Sequence, residues 1–402
     1  MQLRLAVSTV AVASLLAGIV QTLASNNAVK IAVLNDQSSS FSSASGRDSV
    51  TAVELAVQDF GGKVLGKPIE VVFADHQNKP DVGLTIARQW LDNENVDVIV
   101  DLANSAVALG VNTLIGEKKK IGLFVSPITD KITEENCNGH VLAWAYNPYS
   151  VAHSTAKAHI DAGRTTFFIL SADYEAGKAQ EEAMKAAIEQ FGGKTVNAIR
   201  APLGTTDFSS FLLQAQSSGA KVLMLTLTGS ELINAVKQVN EYGLVDRGMT
   251  IGATILFQSE AKAIGPDLLR GVQVAAPWAW SMDDASRAFA EKMRKRTGRA
   301  PGWAHAGSYS ATMAYLKAVE AAGTDDAEKV LAQLHAMKID DFFARNAKLW
   351  PNGRLTHDFV LTQVREPSEM KDPDDLLKVI GRIDAKDAFR PIEQSRCPLV
   401  KK

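Results

Sequence analysis

The chain has 402 residues, 46% of them hydrophobic, enough to bury a large core and to build two domains or more. Its 43 basic and 45 acidic side chains nearly cancel. That balance argues against nucleic acid as a partner, because phosphate binding normally shows as a basic surplus.

Residues 1–24 read as an export leader. MQLR carries a positive charge, LAVSTVAVASLLAGIV is apolar, and Thr22-Leu23-Ala24 ends in a small-residue cleavage site. A cut at Ala24 or Ser25 would release the protein into the periplasm. No cysteine near the cut suggests a lipid anchor, and no later stretch is apolar enough to cross a bilayer. Cys137 and Cys397 are the only cysteines. In an oxidising compartment a bridge between them is expected, with two free thiols as the alternative.

The mature chain opens with a strand at 29–34 and a serine-rich loop, NDQSSSFSSASG. An amphipathic helix at 48–60 is stopped by Gly61-Gly62. A strand at 69–74 and a helix at 82–93 follow. Next comes VDVIVDL, an apolar β-branched run suited to a fully buried strand, then a helix at 106–117 and a second buried strand, IGLFVS. Strand, crossover helix and strand make one βαβ unit. The turns after the two strands, Ala103-Asn104-Ser105-Ala106 and Ser126-Pro127-Ile128-Thr129-Asp130, are small and polar. In an open parallel sheet the ligand lies outside the carboxyl ends of the strands, so these turns are the first candidates for a binding surface.

The pattern then repeats. A strand at 166–170 and a helix at 179–191 lead to Gly192-Gly193-Lys194, which echoes Gly61-Gly62-Lys63. After each GGK come a strand, an Asp-containing loop, a helix and another strand. Two α/β lobes of similar build are expected, each a parallel sheet flanked by helices. Beyond Gly243 the sequence suggests strands MTIGATIL and GVQVAAP, helices at 284–297, 308–322 and 326–337, and strand-like ARNAKLW and FVLTQV around Pro351-Asn352-Gly353. The tail at 374–389 has little pattern. No low-complexity linker separates the lobes, so short crossovers are expected near Tyr146–Ser150, Ala275–Trp278 and Lys348–Gly353. The lobes would be 28–147 with 277–348, and 148–276 with 349–400.

Catalytic and cofactor motifs find little support. GGKVLGK has the spacing of a phosphate loop, but Pro68 replaces the required hydroxyl residue and the order is helix to strand. The first strand lacks G-x-G-x-x-G, the seven histidines show no metal spacing, and there is no G-x-S-x-G elbow. No cofactor and no metal are expected. Tyr174 sits at the strand end of the second lobe, where an aromatic wall would suit an apolar ligand.

Taken together, LNDQSSSFSSASGRDSVTAVELAVQDFGGKVLGKPIEVVFADHQNKPDVG, VDVIVDLANSAVAL, SADYEAG, TDFSSFLLQAQSSGAKV, AGSYSATMAYLKAV and CPLVKK resemble the type I periplasmic solute-binding proteins of ABC importers, in the leucine/isoleucine/valine-binding branch. The resemblance covers nearly all of the mature chain. It implies a two-lobed clamp with three crossovers, a monomer without catalysis that captures a small solute and delivers it to membrane permease subunits. By position it puts ligand contacts at Phe41, Ser45, Asn104, Ser105, Ser126, Ile128 and Thr129 in the first lobe. In the second they fall at Tyr174, Thr228 and Thr254. Ser45 stands where a tyrosine is common, and Thr254 where amino-acid binders carry the acid that holds the ligand's ammonium. The expected solute is therefore a branched-chain or aromatic amino acid or a related carboxylate that need not carry an amino group. A ligand sensor of the same fold and an exported α/β hydrolase are the rival readings.

Overall fold

A computed structural model describes residues 27–270 and 272–401; the leader expected at 1–24 lies outside the described residues. The first half alternates strand and helix: β1 (Val29–Asn35), α1 (Gly46–Phe60), β2 (Lys63–Val64), β3 (Lys67–Asp75), α2 (Pro80–Asn93), β4 (Val98–Asp101), α3 (Ser105–Lys118), β5 (Ile121–Phe124) and β6 (Val141–Ala143). These strands form one sheet in the order β2-β3-β1-β4-β5-β6, parallel except for the short β2–β3 hairpin. The central strands are buried on both faces, as their uninterrupted Val/Ile/Leu runs require.

The second lobe repeats the plan with α4 (Pro148–Asp161), β7 (Thr166–Ala172), α5 (Glu175–Gln190), β8 (Lys194–Ala201), α6 (Ser209–Ser217), β9 (Val222–Thr226), α7 (Gly229–Glu241), β10 (Thr250–Ala253) and α8 (Gln258–Ile264). Its sheet order is β10-β9-β7-β8, the same sequence of positions as β5-β4-β1-β3. The duplication inferred from element order is thus a duplication of topology.

The remaining elements are β11 (Gln273–Ala276), α9 (Asp284–Thr297), α10 (Trp303–Ala322), α11 (Ala327–Ala336), the hairpin β12 (Lys348–Leu349) and β13 (Leu355–Thr356), then β14 (Phe359–Val364), β15 (Leu377–Ile383) and α12 (Ala385–Ala388). Helix α10 packs along α1, and Ala304, Ala311, Tyr315 and Val319 join the core of the first lobe. Strands β11, β14 and β15 form a separate antiparallel sheet.

The β12–β13 hairpin packs beside β6: Ala143 N–H donates to the Gly353 carbonyl at 2.8 Å, and Ala143 bridges Arg354 in parallel. Gly353 is required there, because at φ +80° a Cβ would lie 2.2 Å from the Val141 carbonyl oxygen. Just beyond the hairpin, His357 Nε2 lies 2.9 Å from the Ala145 carbonyl. The unpatterned tail also contains a full strand, β15, built from the alternation in LKVIGRI.

Helix α12 packs on α4 of the second lobe, and the chain then returns to the first, where Ser395 Oγ and Arg396 N–H both donate to Glu134 Oε2, at 3.0 and 2.5 Å. Cys137 and Cys397 form the expected disulfide, with Cα atoms 5.8 Å apart.

Candidate functional site

The carboxyl ends of both parallel sheets face one another across the cleft. On the first lobe, the loop after β1 is shaped by Asp36, whose carboxylate accepts the N–H groups of Ser38, Ser39 and Phe41 at 3.3, 2.9 and 2.8 Å. A short polar side chain bonding its own downstream backbone is a standard way to stiffen a turn. It brings Phe41, buried to 4% exposure, to the cleft. Ser45 ends the loop. Its hydroxyl is buried without a hydrogen-bond partner, and its carbonyl faces His305 Nε2 at 3.2 Å.

Asn104 caps α3, its Oδ1 accepting from Ala106 and Val107 N–H at 2.7 and 3.0 Å, while its Nδ2 donates to Asn78. Ser105 Oγ accepts the Ile128 N–H at 3.0 Å, tying the turns after β4 and β5 together. Ser126 donates its hydroxyl to Asp101, and its carbonyl accepts from the Tyr146 hydroxyl at 2.6 Å. Asp101 is fully buried at the end of β4 and also accepts from Asn35 Nδ2 at 3.1 Å. Burial raises its pKa, opposed by those two hydrogen bonds.

On the second lobe, Tyr174 follows β7 and stacks across the cleft on Phe41, ring centroids 6.4 Å apart and planes at 28°. Part of its ring stays exposed while its hydroxyl lies deep, where burial raises its pKa against the neighbouring Thr228 hydroxyl. Thr228 precedes α7, and Thr254, fully buried after β10, donates its hydroxyl to Gln180. Two carboxylates sit beneath. Glu231 accepts the Gly204 N–H at 2.7 Å, and Glu260 accepts from Gly229 N–H and from Phe257 N–H, the latter at 2.7 Å. Burial pushes Glu260 up to about 8. Tyr146, Tyr174, Asp101 and Glu260 are close enough to influence one another's ionisation.

The lobes meet closely. Thr129 Oγ1 donates to Glu175 Oε1 at 3.0 Å, and Lys131 reaches Glu175 Oε2 at 2.9 Å. Gly229, at φ +64°, faces the Ser40 carbonyl so tightly that a Cβ would lie 2.3 Å from it.

A family model described as a periplasmic binding protein matches residues 28–370. The chain belongs to that family. Among curated relatives, a Leu/Ile/Val-binding protein homolog 6 of Brucella melitensis is 26% identical over 343 residues, covering 83% of this chain and 86% of the relative. A crystal structure of a periplasmic binding protein from Burkholderia mallei superposes with a TM-score of 0.90 at 40% identity, covering 93% of this chain and all of the other. A branched chain amino acid ABC transporter periplasmic ligand-binding protein from Burkholderia xenovorans gives 0.84 at 38% identity, covering 92% and 99%. The type I clamp of this periplasmic binding protein family is therefore the fold of this chain.

All ten residues expected at the site lie at these two facing edges, but not all are free. Asn104 serves as a helix cap, and the hydroxyl hydrogens of Ser126, Thr129 and Thr254 already have acceptors. Asp101 was not among the expected residues. Asp101 stood inside an apolar run and read as part of a strand. An acid closing a run of buried β-branched residues was the available signal. Among the described residues no group of three or more His, Cys, Asp or Glu side chains could hold a metal ion, and no helix is long and apolar enough to cross a membrane.

Proposed function

We propose that this chain captures a small carboxylate with an apolar body between its two lobes and hands it, unaltered, to the permease of an ABC importer. The observation that carries this reading is the facing of Phe41 and Tyr174, one from each lobe, above strand ends rich in polar groups. Two stacked rings set a slot for a flat or branched apolar group. Ser105 keeps its hydroxyl hydrogen, and the unpartnered Ser45 hydroxyl adds a second donor for a carboxylate. The ligand is an amino acid or a related acid, in keeping with the names of the relatives.

The two lobes close on the solute about the three crossovers. The leader directs the chain to the periplasm, and the loaded protein acts as a monomer. Phe41, Ser45, Ser105, Ser126, Ile128, Thr129, Tyr174, Thr228 and Thr254 surround the solute, with Asn104 holding the α3 turn in place.

A thermal-shift screen with amino acids, aromatic acids and short-chain acids tests the reading. A solute present at 100 times its Kd stabilises the folded state by about 2.7 kcal/mol and raises Tm. No shift across the whole panel overturns it.

A further inference from the structure

The second lobe has a cavity of about 490 Å³ at the end of its sheet away from the cleft, where β7 and β10 begin. Its walls come from the end of α4, from β10 with the loop before it, and from the segment between α8 and β11. No wall belongs to the first lobe's sheet, so the cavity does not depend on closure of the clamp. Its volume falls within the range of about 300–1,000 Å³ usual for small-molecule sites.

Charge within it runs one way. Arg164 and Arg270 line the cavity, and among the described residues no aspartate or glutamate does. Arg270 is anchored by Glu366, Nε to Oε2 at 3.0 Å. Arg164 is held differently: its Nε donates to His159 Nδ1 at 3.1 Å, and among the described residues no carboxylate pairs with it. A histidine that accepts at Nδ1 carries its hydrogen on Nε2 and is neutral. Burial, and then the arginine itself, push His159 down to about 4, so it stays neutral near pH 7. The ring is itself fixed, being 6% exposed and set against Gly252 of β10, where a Cβ would come 2.8 Å from Nε2. The imidazole therefore positions the guanidinium without cancelling its charge. Both terminal nitrogens of Arg164 are left to grip two oxygens of one anion.

The rest of the lining includes an apolar wall, with Met249 and Ile251 buried and Val272 half-buried. We propose that this cavity is a second binding site, for a water-soluble organic phosphate, with Arg164 and Arg270 taking the head and the apolar wall taking the body. Two arginines with no acid among the lining suit the nearly double charge of a phosphate monoester. A membrane lipid could not offer both parts, because its apolar chains stay in the bilayer. The site stands apart from the cleft and does not rest on the reading of the cleft.

Calorimetric titration with phenyl phosphate tests the proposal at about pH 8, where a phosphate monoester carries close to two charges. The purified wild type should bind one phenyl phosphate per chain. Inorganic phosphate, without the apolar body, and methyl phenyl phosphate, with a single charge, should each bind at least about fivefold more weakly. Arg164→Gln should weaken phenyl phosphate by about tenfold or more, the loss expected of a charge-assisted pair. Tyr174→Ala, at the cleft, should leave its affinity as it was. Arg270→Gln alters an exposed side chain and carries the test if Arg164→Gln does not fold. The proposal is overturned if the wild type does not bind phenyl phosphate, or binds the singly charged diester as tightly. It is also overturned if the folded arginine variants keep full affinity, or if Tyr174→Ala abolishes binding.

Discussion

The two facing edges share a topology yet differ in how their buried polar groups are satisfied. On the first lobe Asp36 holds its loop, Asp101 joins Asn35 to Ser126, and Asn104 caps its helix. On the second, the hydroxyls of Ser171 and Thr226, partners in adjacent strands β7 and β9, are buried without hydrogen-bond partners, and Glu260 is an acid forced up to about 8. Unmet polar groups inside protein cost stability. Apart from the Ser45 and Ser49 hydroxyls, which also lack partners, the first edge is a finished network, while the tense second edge adds to its unmet hydroxyls a carboxyl whose ionisation burial opposes.

The contrast is broken most strongly by pH. Glu260 rises from 4.5 to about 8 on folding, so between those values the folded state holds a proton that the unfolded state has lost. The contribution of Glu260 to stability is then full below pH 4.5 and is lost as pH rises through 8, by about 5 kcal/mol across the window. Melting curves from pH 4 to 9 should show that slope, and Glu260→Gln should flatten it. A slope that survives the substitution assigns the tension elsewhere.

Next in size is Asn35→Ala on the finished edge. It strips donors from the Gly46 carbonyl at 2.8 Å and from Asp101, and should cost about 3 kcal/mol, read as a lower urea midpoint. Gly229→Ala acts on closure. Its Cβ would collide with the Ser40 carbonyl of the opposite lobe, so affinity should drop about tenfold, roughly 1.4 kcal/mol, on top of a loss of about 1 kcal/mol in stability from the left-handed backbone at Gly229. Equal affinity would mean that the lobes close with more room than the structure has. Smallest is Thr226→Val on the tense edge: removing an unpaired buried hydroxyl should be neutral or stabilise by up to about 1 kcal/mol. The same change at a satisfied hydroxyl costs stability, which is what separates the edges.

Much of this was legible in the sequence because burial and pairing leave periodic traces. VIV, IGLF and VLML are unbroken apolar runs, and each lies in a strand buried on both faces. The repeated GGK fixed the correspondence of the lobes, because glycine punctuates a helix end wherever it falls. Position along the strands then located the site edges. What did not show was direction. Nothing in the letters says that Ser126 gives its hydrogen to Asp101 while Ser105 keeps its own, since that depends on backbone turns at Asp101 and Leu102 with no glycine to announce them. Pro351-Asn352-Gly353 likewise marks a turn, but the letters do not say that the turn rests against Ala143 of β6.

The tail has a consequence for the order in which the protein is completed. Cys137 and Cys397 are separated by 260 positions. A chain threaded through a membrane from its first residue presents Cys137 early and must wait for nearly everything else before Cys397 arrives. Both sheets, all three crossovers and the cleft between them are in hand by then. The bridge can therefore close only when nearly all of the described chain stands on the same side of that membrane as Cys137.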